Sequence, residues 1–251
     1  MTRFLASLFI LFSLVLTPVF AQKGDTYVVV AGVADYQSIS DLMLPEKDAI
    51  AIAELYKLKT QNVILLTGPN ATKARILKSL RDQFSRAKEE DLIVFSFSGH
   101  GYRGGICPFD FTGIEGSGVS YQEIRSILKQ SRAKRKVIFA DACFSGGLRS
   151  NTTSHKQQNQ DAEVLLFLSS RGGETSLESP AMENGYFTTY LLNGLCGDAD
   201  LDYNRLITAR ELFLYVSHQV RYMSNERQHP VMWGKFDDNY ILMDWTDWFT
   251  Y

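Results

Sequence analysis

Four stretches of this chain are almost unbroken in apolar residues: TYVVVAGVA (26–34), DLIVFSF (91–97), KVIFA (136–140) and EVLLFL (163–168). None alternates apolar with polar positions. A strand with one face in water alternates with a period of two, whereas a short continuous run rich in Val, Ile and Phe fits a strand covered on both faces. A further run, NVILLTG (62–68), reads as another buried strand, and NYILM (239–243) as a last short one. Between the runs lie segments with helical spacing of apolar residues: 44–58, with Pro45 near its start, 72–87, 120–128, 186–195 and 208–223. Pro is tolerated in a first helical turn, and the Ser120-x-x-Glu123 pattern is a capping box. Strands alternating with helices of crossover length predict an α/β three-layer sandwich, with a mainly parallel central sheet and helices on both faces.

In such sheets the functional groups gather at the carboxyl ends of the strands. Two predicted strands end in reactive residues: SFSGHG (96–101) leads to His100, and ADACFSGG (140–147) leads to Cys143. A lone cysteine is more often a core residue, and a lone histidine in a turn is often only a hydrogen-bonding group. Together, at the ends of two strands, they are the parts of a thiol nucleophile and its proton carrier. The backbone N–H groups of Gly101 and Cys143 are candidate oxyanion donors, and a glycine at 101 leaves room for a substrate carbonyl. No Asp or Asn in the sequence stands out as an orienting partner for His100, so a Cys/His dyad is expected.

Read together, SFSGHG and DACFSGG resemble the caspase and metacaspase superfamily of cysteine peptidases. The resemblance extends over roughly residues 26–243 and includes GYFTTYLLNGL and HPVMWGKF further along. It implies the caspase-like sandwich and peptide-bond hydrolysis by Cys143 and His100. Caspases carry glutamine two positions before the cysteine and cleave after aspartate. Metacaspases carry an acid there and cleave after Arg or Lys. Here that position is Asp141, and the resemblance puts two further pocket positions on Ser98 and Asp48. Two carboxylates on a pocket floor favour a cation and reject an acid. Phe144 departs from the family, which usually has histidine there. LSSRGGETSLES (168–179) resembles the loop bordering the substrate cleft, with Ser169, Ser170 and Glu174 as candidate lining residues. The polar stretch SNTTSHKQQNQD (150–161) falls where caspases join their large and small parts, and Arg149 and Lys156 are candidate self-cleavage positions.

DLDYNRLITARE (200–211) has oxygen donors at EF-hand spacing: Asp200, Asp202, Asn204 and Glu211, with the Leu206 carbonyl. The sixth position, normally glycine, is Arg205. The preferred reading is a structural turn and a capped helix, with a calcium site as the alternative; no cofactor is otherwise required. His155, His218 and His229 make no ligand set with zinc spacing, and no phosphate-binding or dinucleotide motif occurs.

The chain begins with a short basic start, MTR, then FLASLFILFSLVL and TPVFA. This pattern predicts a signal peptide over 1–21 with cleavage after Ala21, hence a secreted or periplasmic protein with no membrane association once the signal is removed. The peptidase domain is expected over 22–243, followed by an aromatic tail, DWTDWFTY (244–251). The net charge of −2 gives no footprint for nucleic acid. The expected partner is a polypeptide with a basic residue before the scissile bond. The three cysteines, Cys107, Cys143 and Cys196, cannot all pair within the chain, and a Cys107–Cys196 bridge is possible. Two other functions fit the same residues: a non-hydrolytic scaffold or binding module, and a transpeptidase using the same acyl-enzyme.

Overall fold

The computed structural model describes residues 24–102, 104–142, 164–172, 174, 176–178, 182–234 and 240–248. Its centre is a six-stranded sheet: β1 (Thr26–Gly32), β2 (Val63–Thr67), β3 (Leu92–Ser98), β4 (Arg135–Asp141), β5 (Leu165–Leu168) and β6 (Val231–Trp233). Their spatial order is β6–β5–β4–β3–β1–β2. Every pairing is parallel except that of β6 with β5, which is antiparallel.

The continuous apolar runs have their expected cause. Alternate residues of each strand enter opposite cores. On one face Val29, Ala31, Phe95 and Ile138 pack against Leu80 and Phe84 of helix α2 (Lys73–Phe84) and Ile124 and Leu128 of helix α3 (Tyr121–Gln130). On the other face Val28, Val30, Val94 and Phe139 meet Ile52 of α1 (Pro45–Lys57), Phe187 of α4 (Tyr186–Asn193) and Leu212 of α5 (Ala209–Met223). Each such side chain taken out of water contributes about 1.5–3 kcal/mol, before chain entropy is counted. Pro45 occupies the first turn of α1, and Ser120 with Glu123 completes the expected capping box at α3.

The expectation of a buried strand at 62–68 needs correction. β2 is the sheet edge, and of its five residues only Leu66 is buried, because an edge strand has a neighbour on one side alone. Two small sheets lie outside the central one. Gly101–Tyr102, Gly105–Ile106 and Val119–Ser120 form one, and Leu206–Thr208 pairs with Ile241–Asp244 in the other. Just beyond that last strand, Trp245 packs into the second core and donates its indole N–H to the Leu195 carbonyl at 2.8 Å. No helix among the described residues is long and apolar enough to cross a membrane.

Candidate active site

Parallel register aligns the carboxyl ends of the central strands. Gly32 of β1 pairs with Ser98 of β3, and Ser98 with Asp141 of β4. The chain therefore leaves the sheet at the same level on adjacent strands, and His100 stands two residues past that level on β3.

His100 is half-buried and held from three directions. Its Nε2 lies 2.9 Å from the Ser40 carbonyl oxygen, its backbone N–H donates to the Tyr36 hydroxyl at 2.8 Å, and its ring sits 5.1 Å from the Tyr36 ring at 47°. A carbonyl only accepts, so Nε2 carries the hydrogen and the neutral ring keeps its free lone pair on Nδ1. Burial pushes the Tyr36 phenol well above its ordinary range. It stays protonated and donates to the Cys107 carbonyl at 3.3 Å. Gly99 makes this packing feasible. Its φ is +149°, and a Cβ there would lie 2.6 Å from the Tyr36 hydroxyl oxygen. The orienting group that the sequence does not reveal is a backbone carbonyl, and Tyr36 likewise carries no motif.

Beside His100 lies a pair of buried carboxylates. Asp48, in the first turn of α1, is 2% exposed, and Asp141, the last residue of β4, is 8% exposed. Asp48 Oδ2 accepts from Ser98 Oγ at 2.8 Å, and its Oδ1 accepts from Asn184 Nδ2 and the Gly185 N–H, both at 3.0 Å. Asp141 Oδ2 accepts from Thr188 Oγ1 at 2.8 Å and the Thr188 N–H at 3.3 Å, while its Oδ1 accepts from Ser176 Oγ. Gly185 separates the pair: a Cβ there would come within 3.1 Å of Asp141 Oδ2 and 3.5 Å of Asp48 Oδ2.

These donors only partly offset the cost of taking two charges from water. Burial, and then the charge of Asp141, push the Asp48 carboxyl up to about 7 against the pull of its three donors. Asp141 is raised too, chiefly by burial, against donors from Ser176 and Thr188. Two desolvated acids this close each make the other harder to ionise, so both carboxyls are held less acidic than in water.

A cavity of about 280 Å³ is lined by Asp48, Ser98, His100, Asp141, Ser176 and Glu178, with Leu42 and Leu177 among its apolar walls. Among the described residues no Lys or Arg lines it. Glu178 accepts from the N–H groups of Met43 and Leu44 at 3.2 and 3.3 Å, tying this wall to the start of α1. A larger cavity, about 670 Å³, opens at the opposite end of the sheet beside Thr26, Leu92 and Arg135 and contains none of these groups.

The family model for the caspase domain (peptidase C14) matches residues 25–240. The chain belongs to the caspase-domain peptidases. The crystal structure of protein GSU0716 from Geobacter sulfurreducens is similar, with a TM-score of 0.63 at 16% identity, covering 86% of this chain and 96% of that one. At that identity the likeness speaks for the fold. No curated protein matches the sequence.

Within this caspase domain the structure brings Asp48, Ser98, Asp141 and His100 to one cavity. Gly101 follows His100 into the small hairpin, where it pairs with Ile106. Ser169 is fully buried behind the strand ends. Its N–H donates to the Ala140 carbonyl at 3.0 Å and its hydroxyl to the Ala142 carbonyl at 3.3 Å, so it braces the end of β4 from behind. Ser170 donates to the Glu174 carbonyl at 3.2 Å, and Glu174 turns to His229. Cys143, Phe144, Arg149 and Lys156 lie outside the described residues.

Cys107 and Cys196 are both free. They do not bridge, because Cys107 sits in the core on one face of the sheet while Cys196 belongs to the turn Gly194–Asp198 on the other. Burial pushes the Cys107 thiol up to about 12, which leaves it inert.

The caspase domain also gathers Asp200, Asp202 and Glu211, with carboxylate oxygens within 4.8 Å of one another. Arg205, in the place normally taken by glycine, adopts φ +66°. Asp200 accepts from the N–H groups of Asn204 and Arg205 at 3.1 and 2.9 Å, and Asp202 accepts from the Asn204 N–H at 3.2 Å. Glu211 completes a capping box with Thr208 at the start of α5. The turn and the capped helix are thus both present.

Proposed function

We propose that this caspase-domain protein is a cysteine endopeptidase that hydrolyses peptide bonds after Arg or Lys, and that residues 1–21 direct its export. One observation carries the specificity: two buried, hydrogen-bonded carboxylates, Asp48 and Asp141, floor a cavity that also reaches His100. The nucleophile is Cys143, two residues past Asp141 as His100 is two residues past Ser98.

The substrate's basic side chain enters the cavity and pairs with the carboxylates, with Ser98 holding Asp48. This sets the scissile carbonyl beside the thiol. Cys143 Sγ bonds to the carbonyl carbon, and His100 takes the thiol proton on Nδ1, the nitrogen left free by the Ser40 contact. The N–H groups of Gly101 and Cys143 stabilise the oxyanion. His100 then protonates the leaving amine as the C–N bond breaks, leaving a thioester. Water, deprotonated by His100, attacks that carbon, and the sulfur leaves with the shared electron pair. Arg149 and Lys156 offer the same chemistry a self-cleavage point.

The test is hydrolysis of matched fluorogenic peptides ending in Arg, Lys, Asp or Leu by the mature protein and by Cys143→Ala. Cleavage after Arg and Lys is expected to fall about 10⁴-fold or more in the variant. Equal cleavage after Asp or Leu would sink the pocket assignment, and activity retained by Cys143→Ala would sink the mechanism. Mass analysis of exported protein is expected to find Gln22 at its start.

A further inference from the structure

Gln228 and His229 stand just before β6, in the stretch whose later residues resemble the family, yet neither has a part in the chemistry above. Gln228 is fully buried. Two of its carboxamide contacts go to residues that line the cavity, Ser176 and Leu177, and one goes to Ser169 behind the strand ends. Nε2 donates to the Ser169 carbonyl at 2.9 Å and to Ser176 Oγ at 3.3 Å, and Oε1 accepts from the Leu177 N–H at 2.9 Å. A carbonyl can only accept and a backbone N–H can only donate, so the amide has one possible orientation. The consequence passes to Ser176. Its hydroxyl receives a hydrogen bond from Gln228 and gives its own proton to Asp141 Oδ1. His229 fastens the same segment a second time: its N–H and Nδ1 each lie 2.9 Å from the Glu174 carboxylate.

We infer that Gln228 is a positioning residue for the basic-side-chain pocket, fixing Ser176 so that its hydroxyl points at Asp141 and holding the wall that faces the bound cation. This rests on the pocket reading proposed above. A buried amide that ties two residues of a cavity wall to the buried end of the sheet sets the shape of that wall. A hydroxyl with one proton, prevented from turning away, keeps its acceptor placed for a cationic partner.

The test compares wild type, Gln228→Met, Ser176→Ala and the double variant on Arg-ended and Leu-ended peptides. Met keeps the volume and removes the polar contacts. Ser176→Ala is expected to raise KM for the Arg peptide about tenfold while kcat stays within about threefold, the loss of one hydrogen bond to a charged group, and Gln228→Met, which lets that hydroxyl turn away, is expected to do the same. The rate of Cys143 alkylation by iodoacetamide should not move. The double variant should match the singles within about threefold, since both changes cut one relay. A wild type that prefers Arg to Leu, combined with an unchanged KM in Gln228→Met, overturns the inference and leaves the pocket standing. So does a loss shared equally by kcat and by the Leu peptide, which marks a merely structural role. A wild type with no preference for a basic residue overturns the pocket, and the inference with it. Should Gln228→Met not fold, Ser176→Ala decides: an unchanged KM overturns the relay.

Discussion

The molecule contains two carboxylate clusters that look alike on paper and differ in everything physical. Asp48 and Asp141 are buried at the end of the sheet, on rigid elements, and their donors come from β3, the α4 end and the 176–178 segment. Asp200 and Asp202 lie in an exposed turn and are held by the N–H groups of their own loop. Burial raises both members of the first pair, Asp48 to about 7. A buried acid pair costs folding energy, which in the proposed pocket a bound cation would offset. An exposed set of acids is already compensated by water and its own backbone. Number and spacing of acids do not separate the two; desolvation does.

Asp141→Asn should show the contrast most strongly. If that charge meets the substrate as proposed, removing it lowers kcat/KM for Arg and Lys peptides about a hundredfold, ~3 kcal/mol, without slowing Cys143 alkylation. Asp202→Asn should leave both unchanged, and a comparable loss there would erase the distinction.

Next comes stability. A carboxyl whose folded pKa is raised contributes stability that is fully present below its unfolded pKa and is lost as pH rises through its folded value. For Asp48 that loss runs from about 4 to about 7. Asp48→Asn should therefore melt higher than wild type above pH 7 and level with it below pH 4, in a thermal scan across pH, while losing activity on basic peptides. A variant less stable at pH 8 would show that the pair's donors outweigh its burial.

The same shift sets a smaller effect on catalysis. Cation binding needs both acids ionised, so KM for an Arg peptide should fall as pH rises through about 7, whereas KM for a Leu peptide should not. Parallel profiles would place the titrating group elsewhere. The smallest effects belong to the exposed turn. Glu211→Gln, which weakens the capping box, is expected to cost about 1 kcal/mol or less in urea unfolding. A chelator should leave the melting temperature where it was. A rise on adding calcium would turn the exposed cluster into a working site and break the comparison.

The strands were legible because a sheet covered on both faces leaves no polar alternation, as in VVVAGVA and LIVF. The partners of the edges were not. Val231–Trp233 is three residues long, and its pairing with Leu166–Leu168 depends on where a distant loop returns. In the site, His100, Asp48, Ser98 and Asp141 could be picked out because they stand at strand ends or in a resemblance to known peptidases. Ser40 could not, since the group that orients His100 is its backbone carbonyl, which every residue possesses. Ser176, Asn184, Thr188 and Gln228 are ordinary polar residues in sequence. They gain a role only when the fold sets them against a buried charge.

The parallel seam between β4 and β5, from Val137 beside Leu165 to Ala140 beside Leu168, has a consequence for integrity after proteolysis. A cut anywhere between 142 and 164 would divide the chain into two fragments that remain neighbours in one sheet. Asp48, Ser98, His100 and Asp141 would travel with the first fragment; Ser176, Asn184, Gly185, Thr188 and Gln228 would travel with the second. Neither half holds the whole of the proposed pocket. On that proposal, selection of a basic side chain belongs to the reassembled pair, and complementation of the two fragments would be readable as the return of that selectivity.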